Sequence, residues 1–123
     1  MSRANPEDQV HRAILTWIRK CAPQCFVFHP ANGGSRHRLE AIKLKSLGVV
    51  AGVPDLIIFG PGGRAYCLEV KAPGGTLQPT QKAFQLKMMD LCIPWACVHS
   101  VEEARVAFEA WRIETRETAR AAA

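Results

Sequence analysis

A chain of 123 residues is long enough for one domain with a real core. Hydrophobic residues make up 48% and charged residues 22%, which excludes an intrinsically disordered chain. No apolar run approaches the ~20 residues that cross a bilayer. MSRANPEDQVHRAILTWIRK at the start also lacks the apolar stretch of a signal peptide, so a soluble, cytoplasmic protein is expected.

The net charge is +5, unevenly spread. Residues 1–90 carry 12 Lys and Arg against 6 Asp and Glu, whereas residues 91–123 carry 4 against 5. A basic body suits a polyanionic partner, nucleic acid first, with a merely soluble surface as the plainer alternative. The five cysteines are an odd number without a disulfide-scaffold pattern. Cys21-x-x-x-Cys25 and Cys92-x-x-x-x-Cys97 lack the tight CxxC spacing of a zinc knuckle, so small buried apolar side chains are the expectation.

In chain order, Asn5-Pro6-Glu7-Asp8 reads as a helix start, with Asn as N-cap, Pro at the first helical position and acids in the first turn. Val10, Ile14, Leu15 and Ile18 form an apolar stripe to about Lys20, and Pro23 stops it. Cys25–Pro30 is a short strand, and residues 31–35 are a loop. Arg36 to Leu47 is a basic helix ended by Gly48. Asp55–Phe59 and Arg64–Val70 are strands joined by the Pro61-Gly62-Gly63 turn, hence an antiparallel hairpin. Pro79 to Leu91 is a helix with a broad apolar side (Phe84, Leu86, Met88, Leu91). Pro94 to His99 is a strand. Ser100 to about Arg112 is a helix opened by a Ser100/Glu103 capping box. The order α-β-α-β-β-α-β-α predicts one α/β domain, a mixed sheet flanked by helices, over residues 1–113. Residues 114–123 are a tail that extends the last helix or frays.

The chemistry concentrates at one end of the hairpin. Alternation puts Cys67, Glu69 and Lys71 on one face and Leu68 and Val70 on the other. Antiparallel pairing brings the start of one strand beside the end of the next, so Asp55 approaches Glu69 and Lys71 across the thirteen residues between the two acids. Two close carboxylates repel unless a proton or cation sits between them. Mg²⁺ accepts one or two carboxylates and fills its shell with water and phosphate oxygens. An amine beside it can orient water or stabilise charge on phosphorus, so the group suits metal-assisted phosphodiester hydrolysis. The plainer alternative is an ion pair at a strand end with Asp55 as a turn residue.

Pro54-Asp55…Glu69-Val70-Lys71 resembles the PD-(D/E)xK nuclease motif. With Glu7, His29–Arg36 (HPANGGSR), Gly48–Phe59 (GVVAGVPDLIIF), Cys67–Leu77 (CLEVKAPGGTL) and Gln81, the wider run resembles the virus-type replication-repair nuclease (VRR-NUC) family, stand-alone type, over roughly residues 5–100. That resemblance implies a restriction-endonuclease-like fold in a bacterial or phage-infected cell. It implies Asp55, Glu69 and the backbone carbonyl of Val70 as ligands of Mg²⁺ or Mn²⁺, Lys71 as the catalytic lysine, and Glu7 and Gln81 near the site. It further implies a homodimer cutting branched DNA in the manner of a Holliday-junction resolvase. The edge around Trp95 and the last helix with Trp111 are the two apolar regions available for pairing.

Each supporting residue has a second reading. Glu7 suits a helix dipole, but it shares a helical face with His11, Ile14 and Ile18. Gln81 suits a capping box with Gln78. Asn32, Gly34, Ser35 and Arg36 form a loop and helix start that can approach phosphates, while His29 and His37 beside it read as surface or packing residues. Arg36, Arg38, Lys43 and Lys45 can track a nucleic-acid backbone, or simply face solvent. Neither Pro-Gly-Gly loop has a Gly-Lys-Ser/Thr ending, which argues against a nucleotide cofactor. A binding module without chemistry and a sequence-specific restriction-type nuclease are the competing functions.

Overall fold

The computed structural model describes residues 5–31 and 38–122. Its order is α1 (Pro6–Cys21), β1 (Phe26–Phe28), α2 (Arg38–Ser46), β2 (Leu56–Gly60), β3 (Arg64–Val70), α3 (Pro79–Asp90), β4 (Trp95–Val98), α4 (Val101–Ala110) and α5 (Arg116–Ala122). The strands form one sheet in the order β1-β2-β3-β4. β1–β2 and β2–β3 are antiparallel and β3–β4 is parallel, so the sheet is mixed as expected.

Strand alternation decides what is buried. Val27, Leu56, Ile58, Leu68, Val70 and Val98 pack with Ile14, Trp17 and Ile18 of α1 and Ala104, Ala107 and Phe108 of α4. Trp17 meets Phe108 edge-on at 5.0 Å, and Tyr66 stacks on Trp111 at 5.3 Å. Each fully buried aliphatic contributes about 1.5–3 kcal/mol, so Leu68→Ala at the centre removes about 2–5 kcal/mol. Trp111 therefore belongs to the packing around the core, not to a free apolar face.

The opposite face is less covered. The first turn of α3 reaches it near Glu69, but Phe26 and Phe59 remain 65% and 48% exposed. Phe28 lies between them, 5.7 Å from Phe26 and 5.6 Å from Phe59. The broad apolar side expected of α3 is not buried either. Leu86, Met89 and Leu91 are exposed, because the helix meets the sheet mainly along β4.

Boundaries differ where side chains replace ladder bonds. β1 is shorter than Cys25–Pro30, since proline has no N–H to offer a ladder. Ser100 caps α4, accepting from the Glu103 N–H at 3.1 Å, but Glu103 reaches back to the His99 N–H, one residue beyond the expected box. Residues 116–122 form a separate helix, tied down by Glu117, which accepts from Trp17 Nε1 (2.9 Å) and Arg105 Nε (2.8 Å). None of the described helices is long and apolar enough to cross a membrane.

Candidate active site

Asp55 stands just outside β2, which begins one residue later than expected, and its hydrogen bonds explain why. Its Oδ2 accepts the Val70 N–H at 2.7 Å, in place of a backbone ladder bond. Its own carbonyl meets His29 Nδ1 at 2.6 Å. Leu56↔Leu68 is thus the last pair of the ladder, and Asp55 faces the end of β3 with its carboxylate. The preceding residue, Pro54, is fully buried. Beyond β3 the Lys71 N–H donates to the Val98 carbonyl at 3.0 Å, so β4 fixes the other side.

Glu69 and Lys71 are both buried, at 2% and 8% exposure. Burial pushes the Glu69 carboxyl up to about 9, and the neighbouring Asp55 carboxylate pushes the same way. Lys71 opposes this without offsetting it. Glu69 Oε1 accepts from Gln81 Nε2 at 3.1 Å, whereas Oε2 is buried with no hydrogen-bond partner. A buried carboxylate oxygen without a partner, beside a second carboxylate, is a setting that a divalent cation or a proton relieves. Cys67 on the same strand face is not a competing nucleophile, because burial pushes its thiol up to about 11.

Two helices complete the group. Gln81 makes two bonds at once: its Oε1 accepts the Gln78 N–H at 2.8 Å, closing the start of α3, while its Nε2 turns to Glu69. Gly52 permits this approach. It has φ +80°, and a Cβ there would overlap the Thr80 carbonyl in the first turn of α3. Asn5 caps α1 by accepting the Glu7 N–H at 2.8 Å, and Glu7 Oε1 lies 3.9 Å from Lys71 Nζ. Asp55, Glu69, Val70, Lys71, Glu7 and Gln81 thus converge at one end of the sheet.

The nucleic-acid residues are less assembled. Asn32, Gly34, Ser35 and Arg36 lie outside the described residues. Arg38, Lys43 and Lys45 are on α2, which buries none of its residues. A cavity of about 590 Å³ lies at the hairpin-turn end of the sheet, lined by Gly60, Arg64, Tyr66 and Arg112 among others. It is shaped by the docking of α5, and the convergent acids are at the other end. No group of three metal-ligating side chains among the described residues includes a cysteine.

One constellation is not foreseen from the sequence. Ligand atoms of His11, His29 and Asp55 lie within 4.8 Å of one another. Burial and the neighbouring His29 lower the His11 pKa, against the pull of Asp55. The signals were present: His11 follows Glu7 by one helical turn, and His29 directly follows the strand paired with β2. Neither signal specifies the third partner.

The family model for the VRR-NUC domain matches residues 5–102. No curated protein and no solved structure matches the chain.

Proposed function

The chain belongs to the VRR-NUC family, a nuclease-type domain, and from that premise we propose that it is a divalent-metal-dependent DNA endonuclease selective for branched DNA. The observation that carries the metal dependence is Glu69 Oε2, buried and unpartnered beside Asp55. Asp55, Glu69 and the Val70 carbonyl would hold Mg²⁺ or Mn²⁺, ions that suit an all-oxygen set. Such an ion supplies an activated water and neutralises charge on the phosphate.

The chain's own groups do the rest. Lys71 presents its ammonium to the water or to a phosphate oxygen, and Glu7 at 3.9 Å restrains it. Gln81 holds the Glu69 carboxylate in orientation through its 3.1 Å hydrogen bond. The basic residues Arg38, Lys43 and Lys45 on exposed α2, with Asn32, Gly34, Ser35 and Arg36 before it, form the proposed track for the phosphate backbone.

Selectivity for shape is supported by the exposed cations of α2, which suit phosphates and read no base edges. Cutting both strands of a four-way junction needs two sites, hence a homodimer. Exposed Phe26 and Phe59, with half-buried Phe28 between them, offer it a better apolar face than Trp111.

The test is cleavage of labelled four-way junction, flap, duplex and single-stranded DNA in Mg²⁺, Mn²⁺ or EDTA, with Lys71→Ala beside the wild type. Metal-dependent cutting lost in the variant supports the proposal. Junction binding without any metal-dependent product would instead favour a non-catalytic binding module. Cutting of plain duplex at fixed sequences would favour a restriction-type enzyme.

A further inference from the structure

The geometry points to a second cation site, in which His11, His29 and Asp55 take a divalent transition-metal ion that prefers imidazole. The three side chains come from α1, the residue after β1 and the residue before β2, and their ligand atoms lie within 4.8 Å of one another. An ion with bonds of about 2.1 Å sets its ligand atoms roughly 3–3.5 Å apart.

The state of His29 argues for ligation. A carbonyl only accepts, so His29 Nδ1, 2.6 Å from the Asp55 carbonyl, must carry the hydrogen. In the neutral ring this leaves the lone pair on Nε2. Metal-bound histidines are commonly oriented this way, with one ring N–H given to a backbone carbonyl and the other nitrogen on the metal. Here the carbonyl belongs to Asp55, so the residue that supplies the carboxylate also orients the imidazole. The His11 ring stands edge-on to His29, centroids 4.9 Å apart at 87°. Among the described residues no hydrogen bond engages its ring nitrogens.

The ligand chemistry separates this site from its neighbour. Asp55, Glu69 and Val70 offer only oxygen, which suits Mg²⁺. Two imidazoles and one carboxylate suit Zn²⁺, Co²⁺ or Ni²⁺, with remaining positions open to water or a phosphate oxygen. The inference shares Asp55 with the nuclease proposal but does not need cleavage, so either can fail without the other.

Co²⁺ is the probe, titrated into the metal-free full chain in excess Mg²⁺ and followed by its visible absorption. The expected result is one Co²⁺ per chain that Mg²⁺ does not displace, weakened about 100-fold by His11→Ala and by His29→Ala, each checked for folding by circular dichroism. Binding unchanged in both variants, or removed by Mg²⁺, overturns the site. If those variants do not fold, Zn²⁺ is added to the His37→Ala/His99→Ala variant, in which His11 and His29 are the remaining histidines, and their ring protons are followed by NMR. Both imidazoles responding to one Zn²⁺ supports the site, and neither responding overturns it.

Discussion

The Val70 amide donates to Asp55 Oδ2 at 2.7 Å, so the backbone leading into Lys71 and the carboxylate opening β2 are held as one unit. Asp55→Ala leaves that amide unpaired and is expected to cost about 1–3 kcal/mol, whereas Asp55→Asn keeps an acceptor and costs less. Both should stop cleavage. Denaturant midpoints beside cleavage rates separate the two effects. An alanine variant as stable as the wild type would remove the structural half of this role.

Glu69 links the site to pH. Its carboxyl is raised from 4.5 to about 9, so the metal-free folded chain holds a proton that the unfolded chain releases at lower pH. Stability without metal should therefore fall as pH rises from about 4.5 towards 9. Glu69→Gln, which carries no such proton, should flatten that part of the profile. Melting temperatures in EDTA for the two proteins, measured at several pH values, decide this. An equally steep fall in the variant would contradict it.

Lys71 and Gln81 divide differently between rate and stability. Lys71→Ala is expected to lower the single-turnover rate about 10²–10³-fold. Gln81→Glu keeps the acceptor for the Gln78 N–H but loses the donor to Glu69, so it should slow cleavage while α3 stays capped. Gln81→Ala loses both and should also cost about 0.5–2 kcal/mol. If Gln81→Glu cleaves at the wild-type rate, Gln81 serves only to cap the helix.

His99 clamps the loop that follows Lys71. Its Nδ1 meets Glu103 Oε1 at 2.9 Å and its Nε2 meets the Gly75 carbonyl at 3.1 Å. The Glu103 hydrogen bond, then the Gly75 one, raise its pKa above 6.5. The clamp's stabilisation is full below 6.5 and is lost as pH rises through the folded value. Amide exchange around Gly74 and Gly75 should quicken with rising pH beyond its intrinsic trend, and His99→Gln should abolish the excess. An unchanged excess in the variant would assign it elsewhere.

The exposed cations of α2 should act on affinity, not on folding. Lys43→Ala and Lys45→Ala are each expected to weaken junction binding and to lower the slope of log affinity against log salt by about 1. Melting temperatures should stay near wild type, because α2 buries nothing. An unaltered salt slope in both would take α2 out of the DNA track.

The core strands are legible in the sequence, because alternation is local. Leu68 and Val70 had to point away from Glu69, and a short Pro-Gly-Gly turn had to return the chain antiparallel. The misread elements are those whose partners lie far along the chain. The apolar side of α3 has helical spacing but little sheet left to cover, and Asp55 left the strand because its carboxylate took a ladder donor.

By itself, the sequence determined the hairpin, the N-cap residues Asn5 of α1 and Ser100 of α4, and the approach of Asp55 to Glu69. Each depends on rules that act over a few residues or across one tight turn. Only the tertiary structure decided that Glu7 lies 3.9 Å from Lys71, that Gln81 turns its amide to Glu69, and that His11 and His29 flank Asp55. Those distances depend on how α1 and α3 seat at the sheet end. That seating is set by the summed burial of many side chains and by the close approach at Gly52, which no local pattern encodes.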